Sequence, residues 1–222
     1  MHYKEVFFAD QKFSIFPNGE LYWQNKKTLI ISDLHFEKGS FFSETRQFIP
    51  PFDTIETLRQ LTKFINDHPV DIIIFLGDLV HDKLAFQRMN EEAKELFFAI
   101  LKNKNCTLTV GNHDDTSFLR HIGLNLTKNI IIDDICFSHY PTIDKKFSIF
   151  GHYHPKVRLK INSRGIWTSC FVLNHEKLLM PSYGYFTGGL SIKNLEIQKL
   201  FEPEYEIYPL TKEKVYKLAN KK

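Results

Sequence analysis

Short apolar runs broken by polar turns fill the start of the chain, so residues 1 to 32 read as strands. Lys12 to Phe16 and Glu20 to Trp23 flank Pro17-Asn18-Gly19, and Asn-Gly is a strong hairpin signal. Thr28 to Ser32 is a β-branched run that ends at Asp33. From Pro51 to Asp67 the apolar positions Ile55, Leu58, Leu61, Phe64 and Ile65 recur every three or four residues, which predicts an amphipathic helix with Asp53 as its N-cap. Val70 to Leu76 is almost continuously apolar, as expected of a strand covered on both faces. A second helix is predicted from about Arg88 to Lys102, with Ala93, Leu96, Phe97, Ile100 and Leu101 on its apolar side. Strands follow near Thr107 to Val110, Ile130 to Asp133, Ile135 to Ser138, Phe147 to Phe150, Ile166 to Leu173, Lys177 to Met180 and Leu195 to Phe201. Helices alternating with buried strands, then a strand-rich second half, predict an α/β sandwich of two sheets with helices outside, in a single domain over residues 1–222.

Composition narrows the picture. At 222 residues, 43% hydrophobic and 25% charged, the chain excludes disorder, collagen-like repeats and a disulfide miniprotein. A domain of this size closes its core without a metal, so any metal is expected to be functional. Twenty-nine basic against 26 acidic residues give a net charge of +3, too little to demand a polyanionic partner. The 21 phenylalanines lie mostly inside apolar runs and read as core. Cys106, Cys136 and Cys170 form no CxxC pair and are expected to be buried thiols in a reducing compartment. The N-terminal apolar stretch is too short for a signal peptide, and Ile72 to Leu76 falls far short of the roughly 20 residues of a membrane span. A soluble, cytoplasmic protein without membrane partners is expected.

The chemistry collects where the predicted strands end. Asp33-Leu34-His35, Gly77-Asp78, Gly111-Asn112-His113-Asp114, Ser138-His139 and Gly151-His152-Tyr153-His154 each follow a strand, and ligand sites of α/β sheets form at such ends. Alternation along an extended segment would aim Asp33 with His35, and His152 with His154, the same way. The glycines before Asp78, Asn112 and His152 permit sharp turns and close approach. Any one of these histidines alone would be read as structural; five clusters in this order form a set. Carboxylate, imidazole and amide groups without a thiolate suit Mn, Fe or Zn.

The order DxH, GD, GNHD, H and GHxH resembles the calcineurin-like metallophosphoesterases. That resemblance implies a four-layer αββα sandwich, two mixed β-sheets flanked by helices, with two divalent metal ions, manganese foremost, at the sheet edge. It implies that Asp33, His35 and His154 bind one metal, that Asn112, His139 and His152 bind the other, and that Asp78 bridges them. His113 would face the substrate phosphate as a general acid, with Asp114 orienting its ring. A narrower resemblance covers Asp33 to Gly39, Gly77 to Asp82, Gly151 to Pro155, Cys170-Phe171 and Pro181 to Gly189. These segments are similar to the bacterial ligase-associated DNA damage response endonucleases, departing from their pattern at Phe36 and Tyr183. This implies a metal-dependent phosphodiesterase on single-stranded or damaged DNA, working in one repair system with a DNA ligase and a helicase. A phosphomonoesterase or nucleotide hydrolase for a small metabolite would use the same metal site. A non-catalytic scaffold would not need every ligand position and His113.

Weaker signals surround the set. Lys156, Arg158 and Lys160 alternate on one face of an extended segment just past His154 and are candidate substrate-binding residues, although a solvent-facing edge strand would look the same. Lys38 and Arg46 could meet phosphate, His81 and Asp82 could support the ligands from behind, and Tyr185 or Phe186 could stack on a base.

Overall fold

The computed structural model describes residues 2–44, 50, 52–161, 163–201 and 203–218. The first sheet is built from β1 (Lys4–Phe8), β2 (Gln11–Ile15), β3 (Leu21–Trp23), β4 (Thr28–Ile31), β5 (Ile72–Phe75), β6 (Asn105–Thr109) and β7 (Asn125–Thr127), in that spatial order. The second holds β8 (Asn129–Ile132), β9 (Ile135–Ser138), β10 (Phe147–Phe150), β11 (Lys156–Ile161), β12 (Arg164–Leu173) and β13 (Lys177–Leu179) in the order β11-β12-β13-β10-β9-β8, with β14 (Glu206–Pro209) also paired to β12. Helices α1 (Lys38–Glu44), α2 (Asp53–Asp67), α3 (Ala85–Arg88), α4 (Glu91–Asn103), α5 (Thr116–His121) and α6 (Leu195–Phe201) complete the described elements.

Alternation along the strands sorts the apolar residues into layers. On β4, Leu29 and Ile31 pack with Leu58, Leu61 and Phe97 of α2 and α4, while Ile30 faces the second sheet. Between the sheets, Phe13, Trp23, Ile30 and Ile74 meet Phe137, Ile149, Phe171 and Leu178. The outer face of the second sheet, including Phe150, Val157 and Cys170, packs on Ile197 and Phe201 of α6. Helix, sheet, sheet and helix make the expected αββα sandwich.

Three expectations change. Leu195–Phe201 is a helix and not a strand: Ile197 and Phe201, four residues apart, are buried together, and Asn194 accepts the Glu196 N–H at 2.9 Å as a cap. Its Leu-Glu-Ile-Gln opening mimics strand alternation, but Leu195 is exposed. Asp53 is the first helical residue of α2 rather than its N-cap, and its carboxylate accepts the Gly39 N–H at 2.8 Å. The predicted second helix is α4, which starts a few residues late, after Asn90 caps it through the Ala93 N–H, because Arg88 closes the separate short α3. Pro51, Arg46, Lys221 and Lys222 lie outside the described residues. All three cysteines are free and buried, and no helix among the described residues is long and apolar enough to cross a membrane.

Parallel pairing brings the chemistry together. β4, β5 and β6 run side by side with Ile31 opposite Phe75 and Phe75 opposite Leu108, and β9 runs parallel to β10 with Ser138 opposite Phe150. The ends of these five strands therefore lead into Asp33, Asp78, Asn112, His139 and His152.

Candidate metal centre

Beyond the strands the loops keep their own pairing. The Asp33 N–H donates to the Gly77 carbonyl at 3.2 Å, His35 to Asp78 at 2.9 Å and Phe36 to Leu79 at 2.9 Å. Asp33 and His35 do not alternate along an extended strand. Both are in the left-handed region, with φ of 54° and 47°, as are Asp78 (47°), His152 (73°) and His154 (45°). The common aim of each i, i+2 pair comes from these turned backbones, which corrects the expectation drawn from strand periodicity. Five of the seven candidate ligands thus hold a conformation that costs roughly 1 kcal/mol or more each for a residue with a Cβ, strain of a kind that clusters at functional sites.

The expected close approach of the glycines is present. At Gly77 (φ 76°) an added methyl would strike the His139 ring, and at Gly151 it would strike Ser32 and Asp33. These contacts let the two sheets converge: His139 Nδ1 meets the Leu76 carbonyl at 2.9 Å, and the His152 N–H donates to Asp33 Oδ2 at 3.0 Å.

Two triads result. The donor atoms of Asp33, His35 and His154 lie within 4.8 Å of one another, and so do those of Asp78, His139 and His152. Asp78 Oδ2, itself in the second triad, also faces the first: it lies 3.8 Å from His35 Nε2 and 3.6 Å from His139 Nε2. Asn112 joins the second side, with Oδ1 3.4 Å from His139 Nε2.

The electrostatics suit a cation. Burial pushes the His35 ring down to about 2, and burial with the adjacent His139 ring lowers His152, so both are neutral at neutral pH. Burial alone would raise the Asp33 carboxyl, but the His154 ring beside it and then His139 hold it below the usual carboxylate range. His35 Nε2 faces His154 Nε2 at 3.3 Å, and His139 Nε2 faces His152 Nδ1 at 3.1 Å. His139 Nδ1 donates to the Leu76 carbonyl, which leaves its Nε2 lone pair aimed inward, the support expected behind a metal-binding imidazole. Buried His35 Nδ1 has no hydrogen-bond partner among the described residues. Ring nitrogens and carboxylate oxygens converging without enough protons to share are what a divalent ion satisfies, and the donor set fits a hard or borderline metal.

His113 stands at the edge of the first triad, its ring centroid 5.1 Å from that of His35. Its Nδ1 donates to the His81 carbonyl at 2.7 Å and its ring stacks on His81 at 5.4 Å, which leaves Nε2 for a substrate. Burial, then the charges of Lys38 and His113, push His81 down to about 4, so a neutral ring backs His113. Asp114 does not orient that ring: its carboxylate accepts the N–H groups of Leu79 (2.8 Å), Gly111 (2.8 Å) and Asp78 (3.0 Å), tying two ligand loops together. Asp82 is engaged by Arg88. Tyr140, half exposed, was not singled out by motif; its hydroxyl donates to Asn112 Oδ1 at 2.8 Å and its ring flanks His139 and His152. An aromatic residue directly after the strand-end histidine was the available signal.

The basic residues lie beside this centre. Lys156 donates to the Thr187 carbonyl at 2.9 Å, and burial, followed by the Lys156 charge, lowers the half-buried Lys38 ammonium. Arg158 and Lys160 are exposed further along β11. Tyr185 and Phe186 are also exposed, with ring centroids 6.3 Å apart.

A family model described as calcineurin-like phosphoesterase matches residues 26–206, a span that contains all five ligand loops. The chain belongs to that family. It is accordingly a hydrolase acting on phosphoester bonds. Among solved structures the fold is similar to the Pseudomonas putida nuclease MPE, at 21% identity and a TM-score of 0.74, covering 98% of this chain and 100% of that one. The E. coli phosphoesterase Yfce matches at 12% identity and a TM-score of 0.45, over 86% of this chain and 98% of its own. No curated protein sequence matches the chain.

Proposed function

We propose that this phosphoesterase is a dinuclear metal-dependent phosphodiesterase acting on DNA, a nuclease of the ligase-associated type. The observation that carries the metal assignment is Asp78 Oδ2, a member of the second triad that lies within 4 Å of an imidazole nitrogen of each triad. Asp33, His35 and His154 would hold one ion, Asn112, His139 and His152 would hold the other, and Asp78 would contribute to both; manganese is the first choice, with iron or zinc alternatives. When bound, two such ions would supply an activated water and charge neutralisation at the phosphoryl oxygens.

The chain's own residues do the rest. His113 is the general acid: protonated at Nε2, it gives that proton to the leaving oxygen, while its Nδ1–H stays on the His81 carbonyl and fixes the ring. Asp114 acts indirectly, by locking the Gly111 and Asp78 backbones. Lys156, Arg158 and Lys160 receive substrate phosphates along β11. The DNA substrate and the repair setting with a ligase and a helicase rest on the subfamily resemblance, with the nuclease-like fold in support. Manganese-loaded protein assayed side by side on bis-nitrophenyl phosphate, nitrophenyl phosphate and single-stranded DNA tests the reading. Turnover of the diester and the DNA is expected; turnover of the monoester alone would move the assignment to a small-metabolite phosphatase.

A further inference from the structure

The two tryptophans occupy opposite surroundings. Trp23 is fully buried between the sheets, whereas Trp167 on β12 is 54% exposed, and among the described residues no other ring packs on it. The β11–β12 register sets Trp167 directly opposite Arg158, with Lys156 opposite Ser169 and Lys160 opposite Gly165. Directly paired residues share a face, so the three cations and the indole stand on one side of the hairpin. Val157, between Lys156 and Arg158, is buried in the layer that includes α6, so this is the side turned away from that core. The Arg158 guanidinium lies over Gly165, where any side chain would collide with it. Among the described residues neither Arg158 nor Lys160 pairs with a carboxylate, so their charges are uncompensated by ion pairs there.

The row is continuous with the metal centre. Lys156 follows His154 by two residues, and its charge reaches Lys38, whose own charge bears on His35 and His81. From Lys156 the cations step outward by about 6.6 Å per pair of residues. An extended sugar–phosphate strand presents charges at a comparable repeat. A half-exposed indole among such cations matches a base, and a base of a single strand can offer it a face that stacked neighbours cover inside a duplex.

Building on the phosphodiesterase reading, we infer that the outward face of the β11–β12 hairpin carries a single nucleic-acid strand away from the metal centre, with phosphates on Lys156, Arg158 and Lys160 and one unpaired base on Trp167.

Tryptophan emission tests this directly, because buried Trp23 contributes a constant background. Metal-loaded His113→Ala protein, which should cut DNA about 10²- to 10⁴-fold more slowly, is titrated with a 12-mer of thymidylate, an abasic 12-mer of equal charge, a blunt duplex and anionic lipid vesicles. Quenching is expected with the thymidylate strand alone. Adding Trp167→Ala should weaken thymidylate binding by about five-fold to a hundred-fold with the salt dependence unchanged, and Trp167→Phe should recover part of the loss. Replacing Lys156, Arg158 and Lys160 with Gln should instead lower the log–log salt slope by about 0.7 per lost phosphate contact. Equal quenching by the abasic strand, quenching by vesicles in place of the strand, or unchanged affinity after Trp167→Ala overturns the inference. Hydrolysis of bis-nitrophenyl phosphate by the Trp167→Ala protein with His113 intact separates the two failures. A diesterase that binds no strand refutes only the hairpin assignment; absence of diester turnover in the unmutated protein refutes the underlying reading.

Discussion

His35 and His154 point their Nε2 atoms at each other across 3.3 Å, and His154 Nε2 also lies 3.1 Å from Asp33 Oδ1. His154 Nε2 is hydrogen-bonded to Asp33 and burial keeps the His35 ring neutral, so two ring nitrogens and a carboxylate oxygen converge on one point. His139 Nε2 and His152 Nδ1 face each other in the same way at 3.1 Å. The backbone strain at five ligand positions is therefore spent on an arrangement that is poor as a hydrogen-bond network and good as a cation cage.

Under the proposed function, Asp78 is the residue that two ions would share. Its Oδ1 accepts the His113 N–H at 3.0 Å, while Oδ2 faces both His35 and His139. Asp78→Asn can keep the first contact and lose the charge of the second. Elemental analysis should show both metals bound at least 10- to 100-fold more weakly, the range known for losing a mere supporting partner. Diester hydrolysis should fall with them, and the apo protein should keep its melting temperature. Two tightly held metals with ordinary turnover would refute the bridging role.

His113 is predicted to act on the leaving group and to hold no metal. His113→Ala should retain both ions and lose about 10²- to 10⁴-fold in rate on esters with poor leaving groups. The loss on nitrophenyl esters, whose leaving group departs unaided, should be much smaller. Equal slowing of both substrates would assign His113 another role.

The sequence displays the members of the site but not the way they are aimed. The five clusters are legible because parallel strands must deliver their C-terminal residues to one rim. Asp33 and His35 looked like neighbours on an extended strand, yet their shared direction comes from left-handed turns fixed by contacts with Gly77, Asp78 and Leu79, far along the chain. The partner of His113 was equally hidden: a backbone carbonyl, that of His81, carries no side-chain signature, so the adjacent Asp114 was the natural choice. In the fold, α6 escaped because Leu195-Glu196-Ile197 alternates like a strand, and only the burial of Ile197 with Phe201 reveals its period.

Asp114 offers a test of how the loops are locked. Its two oxygens accept three backbone N–H groups, and Asp114→Asn would turn an amide NH2 toward at least one of those donors. A buried donor left unsatisfied costs about 1 to 3 kcal/mol. Chemical denaturation should show a loss of that size, accompanied by weaker metal binding, while the residual activity keeps the leaving-group dependence of the unmutated enzyme. A change in that dependence would mean that Asp114 acts on His113 after all.

Glu20 lies behind the centre, in contact with the segment that closes it. Its Oε1 accepts from Asn18 Nδ2 and from the Tyr183 hydroxyl, both at 3.3 Å, and Tyr183 donates its N–H to the Ser32 carbonyl at 2.8 Å. Burial outweighs these hydrogen bonds and raises the Glu20 carboxyl from 4.5 to about 6, with Oε2 lacking any partner among the described residues. A raised carboxyl means that the folded protein binds the proton more tightly than the unfolded chain, so stability falls as pH rises from about 4.5 to about 6 and stays reduced above. A shift of that size corresponds to about 2 kcal/mol. Glu20→Gln removes the titration and keeps an oxygen for Asn18 and Tyr183. Whatever fixed cost the amide brings, the stability of the variant relative to the unmutated protein should therefore improve by about 2 kcal/mol between pH 4.5 and pH 8, measured by denaturation at both. A difference that does not change with pH would show that Glu20 is ionised without penalty, and the burial argument for it would fall.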